Sequence, residues 1–195
     1  MNHNYFSDVN LFSSYWAGFI SADGYVTRSG SALEIVLSAR DVGHLERFLS
    51  DIGADQDRLK SYQNSDGRQC SRVYLPSRQI VEDLNKNFSI TTQKSLTARP
   101  PVIAYEQSLA FIAGYIDGDG SYTTANGLPR LKIVGTKSIL EWIKSTLSAG
   151  SANVRAVKNS QCYEIAYTGK VAILARSRYI EMNLPFMERK FKNWK

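Results

Sequence analysis

The chain has 195 residues, 43% hydrophobic and 22% charged, and carries a formal net charge of +6. That length can bury a real core in one domain or two small ones, with the balance of an ordinary globular protein. No apolar run is long enough for a bilayer, and "MNHNYFSDVN" has no basic stretch ahead of an apolar one, so neither a membrane partner nor a signal peptide is expected.

The place expected is intracellular, in a bacterial cytoplasm or an organelle interior. Cys70 and Cys162 are the only cysteines. They make no disulfide framework and have no metal-ligand spacing with His3 or His44, which read as surface or core residues. A reducing interior suits them. Charge is uneven: residues 1–98 sum to −1 and residues 99–195 to +7. A basic chain points to a polyanionic partner, although charge alone also serves solubility.

The first element is an apolar helix ending in "SYWAGFISADGYV" (Ser14 to Val26). Two alternating segments follow in "YVTRSGSALEIVLS", with Leu33, Ile35 and Leu37 on one face. Val42 to Ile52 reads as a helix, "DRLKSYQN" into "RQCSRVYL" as two strands, and Ser77–Asn87 as a third helix. "TARPPVIAYEQ" then interrupts, because Pro100-Pro101 stops helix and strand alike.

The order repeats after this connector. "AFIAGYIDGDGSY" (Ala110 to Tyr122) matches the first phrase at an offset of 96, with Gly114 on Gly18 and Asp119 on Asp23. "SYTTANGLPRLKIV" turns Leu131 and Ile133 inward and Arg130, Lys132 and Val134 outward. Helices are expected over Ser138–Leu147 and Lys170–Tyr179, around the strand pair "ANVRAVKN" and "SQCYEIAY". The division expected is 1–98, a linker at 99–107, and 108–195, each copy reading α-β-β-α-β-β-α in an α+β fold. A period this long fits two fused copies of one small unit rather than a solenoid.

Small residues recur every fourth position on both apolar helices: Ser14, Gly18 and Ala22, then Ala110, Gly114 and Gly118. Such positions share one helix face and let two backbones approach closely. The helices are therefore expected to pack on each other about a pseudo-twofold axis, bringing Asp23 and Asp119 together. Two carboxylates at negative helix ends repel each other and the dipole. A hard divalent cation, Mg²⁺ or Mn²⁺, would relieve that repulsion. The plainer reading of each Asp-Gly is a helix cap, with the glycine in a left-handed conformation.

"WAGFISADG" (Trp16–Gly24) and "IAGYIDGDG" (Ile112–Gly120) resemble the two motifs of a single-chain LAGLIDADG homing endonuclease. The resemblance spans nearly the whole chain. It implies a monomer with two β-sheets forming a saddle over DNA and the motif helices at its centre. It implies that Asp23 and Asp119 bind catalytic metal, with backbone carbonyls of Ala22 and Gly118 as further ligands. Lys94 and Lys190 recur at the same offset after the third helix of each copy, and the family has a basic residue there, so both receive a catalytic role. Ser21, opposite Asp117, departs from the family pattern at a position that does not ligate metal.

The open strand faces are expected to read DNA. Candidates are Thr27, Ser29, Glu34, Lys60, Tyr62, Arg68 and Arg72 in the first copy, and Thr123, Arg130, Lys132, Arg155 and Lys158 in the second. A β-ribbon fits the major groove and arginine can grip guanine there. The two sets differ, so the preferred target should be long and asymmetric. Three functions follow from the resemblance: a site-specific, metal-dependent DNA endonuclease that spreads an intron, an RNA maturase assisting its host intron, or a DNA-binding regulator without cleavage. Retention of both acids favours the first.

Overall fold

The computed structural model describes residues 1–92, 98–148 and 152–192. Asn10 opens the chain's first long helix, α1 (Leu11–Asp23), by accepting from the backbone N–H groups of Phe12 and Ser13 while Ser13 returns a bond to the Asn10 N–H. Strands β1 (Gly24–Val26) and β2 (Leu33–Ser38), helix α2 (Val42–Asp51), strands β3 (Leu59–Gln63) and β4 (Gln69–Leu75), and helix α3 (Arg78–Phe88) complete the first half. The second half runs α4 (Tyr105–Asp119), β5 (Gly120–Ala125), β6 (Leu128–Gly135), α5 (Lys137–Thr146), β7 (Arg155–Ala156), β8 (Tyr163–Thr168) and α6 (Lys170–Glu181). A short helix, α7 (Glu188–Lys192), follows and was not expected. Helix α4 begins at Tyr105, within the stretch read as linker.

Each half forms one four-stranded antiparallel sheet, in the orders β1-β2-β4-β3 and β5-β6-β8-β7. Strand alternation sends Leu33, Ile35 and Leu37 of β2, and Val73 and Leu75 of β4, into the core. Leu131, Ile133, Ile165 and Tyr167 do the same in the second sheet. Apolar faces of α2, α3 and α5 cover these residues: Leu45, Phe48 and Leu49, then Ile80 and Leu84, then Ile139, Leu140 and Ile143 are all buried. The opposite face of each sheet stays open, as period-two patterning requires.

Helices α1 and α4 are buried all round over most of their length, so neither faces water as an ordinary amphipathic helix does. They pack backbone to backbone. A Cβ built on Gly18 would fall on the Phe111 carbonyl oxygen, and one built on Gly114 would fall on that of Tyr15. The pairs 18–111 and 114–15 exchange under the offset of 96, so the contact is isologous within one chain. Where a Gly118 Cβ would stand, the nearest atom is the Ala22 Cβ. Position 118 is the counterpart of position 22, so this contact sits on the pseudo-twofold axis.

Gly24 and Gly120 depart from expectation. Their backbones are extended, at φ −75° ψ 160° and φ −90° ψ 156°, and not left-handed. The chain steps from helix to strand with no turn residue between. A Cβ on Gly24 would lie 2.7 Å from Ile20 Cγ2 and 2.8 Å from its carbonyl oxygen. Ile116 crowds Gly120 in the same way. Glycine is required here for close approach rather than for its torsional freedom.

Gly114→Ala should cost about 3 kcal/mol or more by forcing the helices apart, a fall in Tm of roughly 6–12 °C for a chain of this size. Gly43→Ala, on α2 with only the Glu46 carboxylate near, 3.9 Å from the new methyl, should leave Tm unchanged or raise it. Thermal melts of the two variants beside the parent check the expectation. Equal, small effects would mean that the helix contact is not tight.

Candidate functional site

The paired helices end side by side. Asp23 and Asp119 are their last residues and both are exposed, whereas Ser21 and Asp117, two positions earlier, are buried. Asp23 Cγ lies 3.5 Å from where a Gly118 Cβ would stand, so the carboxylate of one helix borders the final turn of the other. Burial and the Asp119 carboxylate, which takes a hydrogen bond from the Tyr115 hydroxyl, push the Tyr115 pKa up; Asp23 adds to the shift. Both acids therefore act on one side chain at this end of the helix pair.

Lys190, in α7, brings the cation. Its Nζ donates to the carbonyl oxygens of Gly118 at 2.5 Å and Gly120 at 2.9 Å, with Ile116 O at 3.5 Å. The Gly118 carbonyl is one of those a helix C-terminus leaves without an intrahelical partner, and an ammonium there also opposes the dipole. Burial lowers the Lys190 pKa, while Asp117, Asp23 and Asp119 push it back up. The expected catalytic lysine thus lies at the junction of helix, strand and acids. It also occupies the Gly118 carbonyl, one of the expected metal ligands. Lys94 lies outside the described residues.

Asp117 has a different task. Tyr15 of α1 donates its hydroxyl to Oδ2 at 2.6 Å, across the helix pair, and the Met187 N–H donates to the same oxygen at 3.0 Å. Oδ1 is buried, with no hydrogen-bond partner among the described residues. Burial pushes the carboxyl up to about 6, against the pull of Tyr15, Met187 and Lys190. Two residues beyond Met187, Arg189 grips both oxygens of Asp41, Nε to Oδ1 and Nη2 to Oδ2, each at 2.8 Å. Asp41 closes the turn between β2 and α2 of the first half. Residues 187–190 are thereby a strap tying the end of the described chain to the motif helices and to the first half. Sequence reading found Lys190 by its offset and missed Asp41, Met187 and Arg189, whose partners are up to 148 residues away.

The expected sheet contacts divide. Strand pairing sets Lys60, Arg72 and Val36 in one row of the first open face, with Tyr25, Glu34 and Tyr74 in the next. Tyr62 follows in the row of Ser38 and Cys70. Arg72 Nε is 2.6 Å from Glu34 Oε1, so these two candidates hold each other. In the second sheet Thr123, Arg130 and Thr168 form one row, Ser121, Lys132 and Ala166 another, and Val134, Glu164 and Arg155 a third. Lys132 Nζ reaches Glu164 Oε2 at 3.1 Å. Thr27 and Ser29 bond to each other in the β1–β2 turn. Arg68 and Lys158 stand at the tips of the β3–β4 and β7–β8 hairpins. Among the described residues there is no group of three or more His, Cys, Asp or Glu placed to hold a metal, and no helix is long and apolar enough to cross a membrane.

No family model matches the chain, and no curated protein matches it. Solved structures do. The I-LtrWI LAGLIDADG homing endonuclease bound to target DNA is similar at TM-score 0.57 and 13% identity, over 89% of this chain and 82% of that one. The I-SmaMI LAGLIDADG homing endonuclease bound to cleaved DNA is similar at TM-score 0.58 and 11% identity, over 94% and 86%. Full-length DUF199/WhiA from Thermatoga maritima is similar at TM-score 0.59 and 13% identity, over 92% of this chain and 56% of that one. The fold is thus the LAGLIDADG fold, shared here by proteins solved on DNA and by WhiA.

His44 supplies a pH test of the strap's surroundings. It packs between Trp16 and Phe19 and approaches the Tyr15 hydroxyl at 3.4 Å. Burial, then Arg47 and Lys190, lower its pKa to about 3, with Asp41 opposing. The unfolded chain takes this proton near pH 6.5. The histidine's contribution to stability is therefore complete above pH 6.5 and is lost as pH falls toward 3, by about 2 kcal/mol at pH 5. Asp117 works in the opposite sense, since its raised pKa makes the folded state gain stability as pH falls through 6. In urea unfolding, His44→Gln should gain about 2 kcal/mol relative to the parent between pH 7.5 and pH 5. A gap that does not change with pH would mean that His44 protonates freely in the folded state.

Proposed function

We propose that this protein is a site-specific, divalent-metal-dependent endonuclease that hydrolyses both strands of a long, asymmetric DNA target. The observation that carries the reading is the pair of exposed carboxylates, Asp23 and Asp119, at the ends of two helices whose glycines hold them in contact. The open sheet faces to either side supply a surface for the duplex, and neighbours with this fold were solved on DNA.

Asp23 and Asp119 would hold the metal, Mg²⁺ or Mn²⁺, with the Ala22 and Gly118 carbonyls as further oxygen donors. The donor set fits: magnesium is commonly bound by one or two carboxylates, with water and substrate phosphate completing its shell. Two acids without a third carboxylate therefore suit it. Bound there, such an ion supplies an activated water and neutralises charge on the phosphate and leaving oxygen. Lys190 places a cation beside both acids and is positioned to steady negative charge as it develops. Because Nζ already holds the Gly118 carbonyl, it also fixes where that oxygen points. Arg130, Arg155 and Lys60 would meet phosphates or base edges, the former positioning and the latter specifying.

The second reading is a DNA-binding protein that does not cleave, or one that binds intron RNA. It draws support from WhiA, whose LAGLIDADG domain shares the fold. Retained acids at both helix ends favour cleavage.

The test is cleavage of a randomised duplex library with Mg²⁺, beside EDTA and beside Asp119→Asn. One long asymmetric sequence should be enriched, and cleavage should vanish in both controls. Binding of Asp119→Asn to that site should persist and should weaken steeply with salt, as several phosphate contacts require. Full cleavage by Asp119→Asn would end the shared-acid reading; no cleavage with any divalent metal would shift the reading to binding alone.

A further inference from the structure

The third helices of the two halves carry opposite outer faces. In α3 the large residues Ile80, Val81, Leu84 and Phe88 are buried, and the exposed positions are Arg78, Gln79, Glu82, Asn85 and Lys86. In α6 the sizes are reversed. Ala172, Ala175 and Tyr179 are buried, on the side that packs against β6 and β8, while Ile173, Leu174 and Ile180 are 46%, 61% and 56% exposed. A helix with apolar residues on opposite sides belongs between two surfaces, and among the described residues α6 has one. The three aliphatic side chains share one face of one helix, so they form a patch rather than scattered residues.

The ends of this face are charged. At 3.6 residues per turn, Lys170, Ser177 and Glu181 fall on the same side as Ile173, Leu174 and Ile180. Lys170 and Glu181 are both exposed, and among the described residues neither forms an ion pair. Each stands at the unfavourable end of its helix: a cation at the positive N-terminus and an anion at the negative C-terminus both oppose the dipole. Ser177, between them, donates its hydroxyl to the Ile173 carbonyl at 3.2 Å. That donor is satisfied within the helix and needs no outside acceptor.

We infer that α6 is the docking surface for a second copy of this chain, with the two α6 helices antiparallel across a twofold axis near Ser177. Antiparallel pairing sets Lys170 of each copy beside Glu181 of the other, and each helix end beside the opposite end of its neighbour. The charges that oppose the dipole of one copy then favour that of the other. Ile173 and Leu174 meet Ile180 and Ser177 across the axis, where the small serine leaves room for the larger side chains. One patch serves both copies, as an isologous contact requires. A face ending in one charge of each sign matches itself in reverse and suits a wholly acidic or wholly basic partner less well.

One helix of 12 residues falls short of the roughly 1,200 Å² at which standard interfaces begin, so the dimer should be weak and concentration-dependent. Helix α6 covers the back of the second sheet, so each copy keeps its open faces and its own pair of acids. The inference goes beyond the proposed cleavage and does not require it. The expected monomer remains complete for that chemistry but is not the only species in solution.

The experiment is sedimentation velocity of the full chain, without DNA, over a wide range of concentrations. The variants are Leu174→Gln/Ile180→Gln, Lys170→Glu and Lys170→Glu/Glu181→Lys. All these positions are exposed, so each variant should melt near the parent's Tm. The parent's average mass should rise from one chain toward two as concentration rises. The glutamine pair should weaken association tenfold or more. Lys170→Glu should weaken it severalfold at low salt and less at high salt, where the new like-charge contact is screened. The double reversal should restore it. One-chain mass at every concentration, unchanged association in the glutamine pair, or a double reversal no tighter than Lys170→Glu would overturn the inference. Cleavage by the glutamine pair, measured separately, should match the parent and would decide the proposed function whatever the mass.

Discussion

The structure depends on one contact: two helix backbones touching through Gly18 and Gly114, with no side chain between them. Everything near the site is set by that distance. Helices spaced by ordinary side chains sit about 8–10 Å apart, and the carboxylates at their ends would separate accordingly. The contact also removes any freedom between the halves, because the residues at the interface are buried on both helices. A stripe of small residues is thus a positioning device for the acids at its end.

The turnless junctions carry this geometry outward. Gly24 and Gly120 pass directly from helix to strand, so the first strand of each sheet inherits its direction from the central helix. Lys190 reinforces one junction by bonding carbonyls on both sides of it. The strap makes the two ends unequal. Asp117 holds Tyr15 and Met187 where the other helix has only Ser21, and Arg189 clamps Asp41 of the first half. The molecule is an approximate twofold at its axis and asymmetric a few ångströms away. The sheets repeat this: rings on one open face, hydroxyls and cations on the other.

Much of this was legible in the sequence because its signals are local or periodic. Small residues every fourth position predicted the helix contact, alternation in "LEIVLS" and "RLKIV" predicted which strand face is buried, and the offset of 96 predicted the repeated order. What was not legible is long-range or depends on exact packing. An Asp-Gly pair after a helix suggests a left-handed cap. Only the packed structure shows that Ile20 and Ile116 leave no room for a Cβ. The mismatch of Ser21 with Asp117 was visible as broken symmetry, yet its meaning rests on Tyr15, 102 residues back, and Met187, 70 residues on. Arg189 gave no signal, since one basic residue within the run "ERKFK" does not stand out from its neighbours. Lys190 was found by its offset, but its three carbonyl partners could not be read from spacing.

The glycine contact also has a consequence in time. Helix α1 is buried on every side over most of its length, and its partner helix follows 96 residues later, counted from Gly18 to Gly114. At a synthesis rate of roughly 5–20 residues per second, the interval is on the order of 5–20 s. Once β4 has been made, at Leu75, the first half has a complete sheet and a bare helix flank, the very surface later closed by Phe111 and Gly114. Long-range closure of this kind is slow even in a finished chain. The same feature that makes the interface tight makes the emerging first half a client for whatever shields apolar surface in the cell.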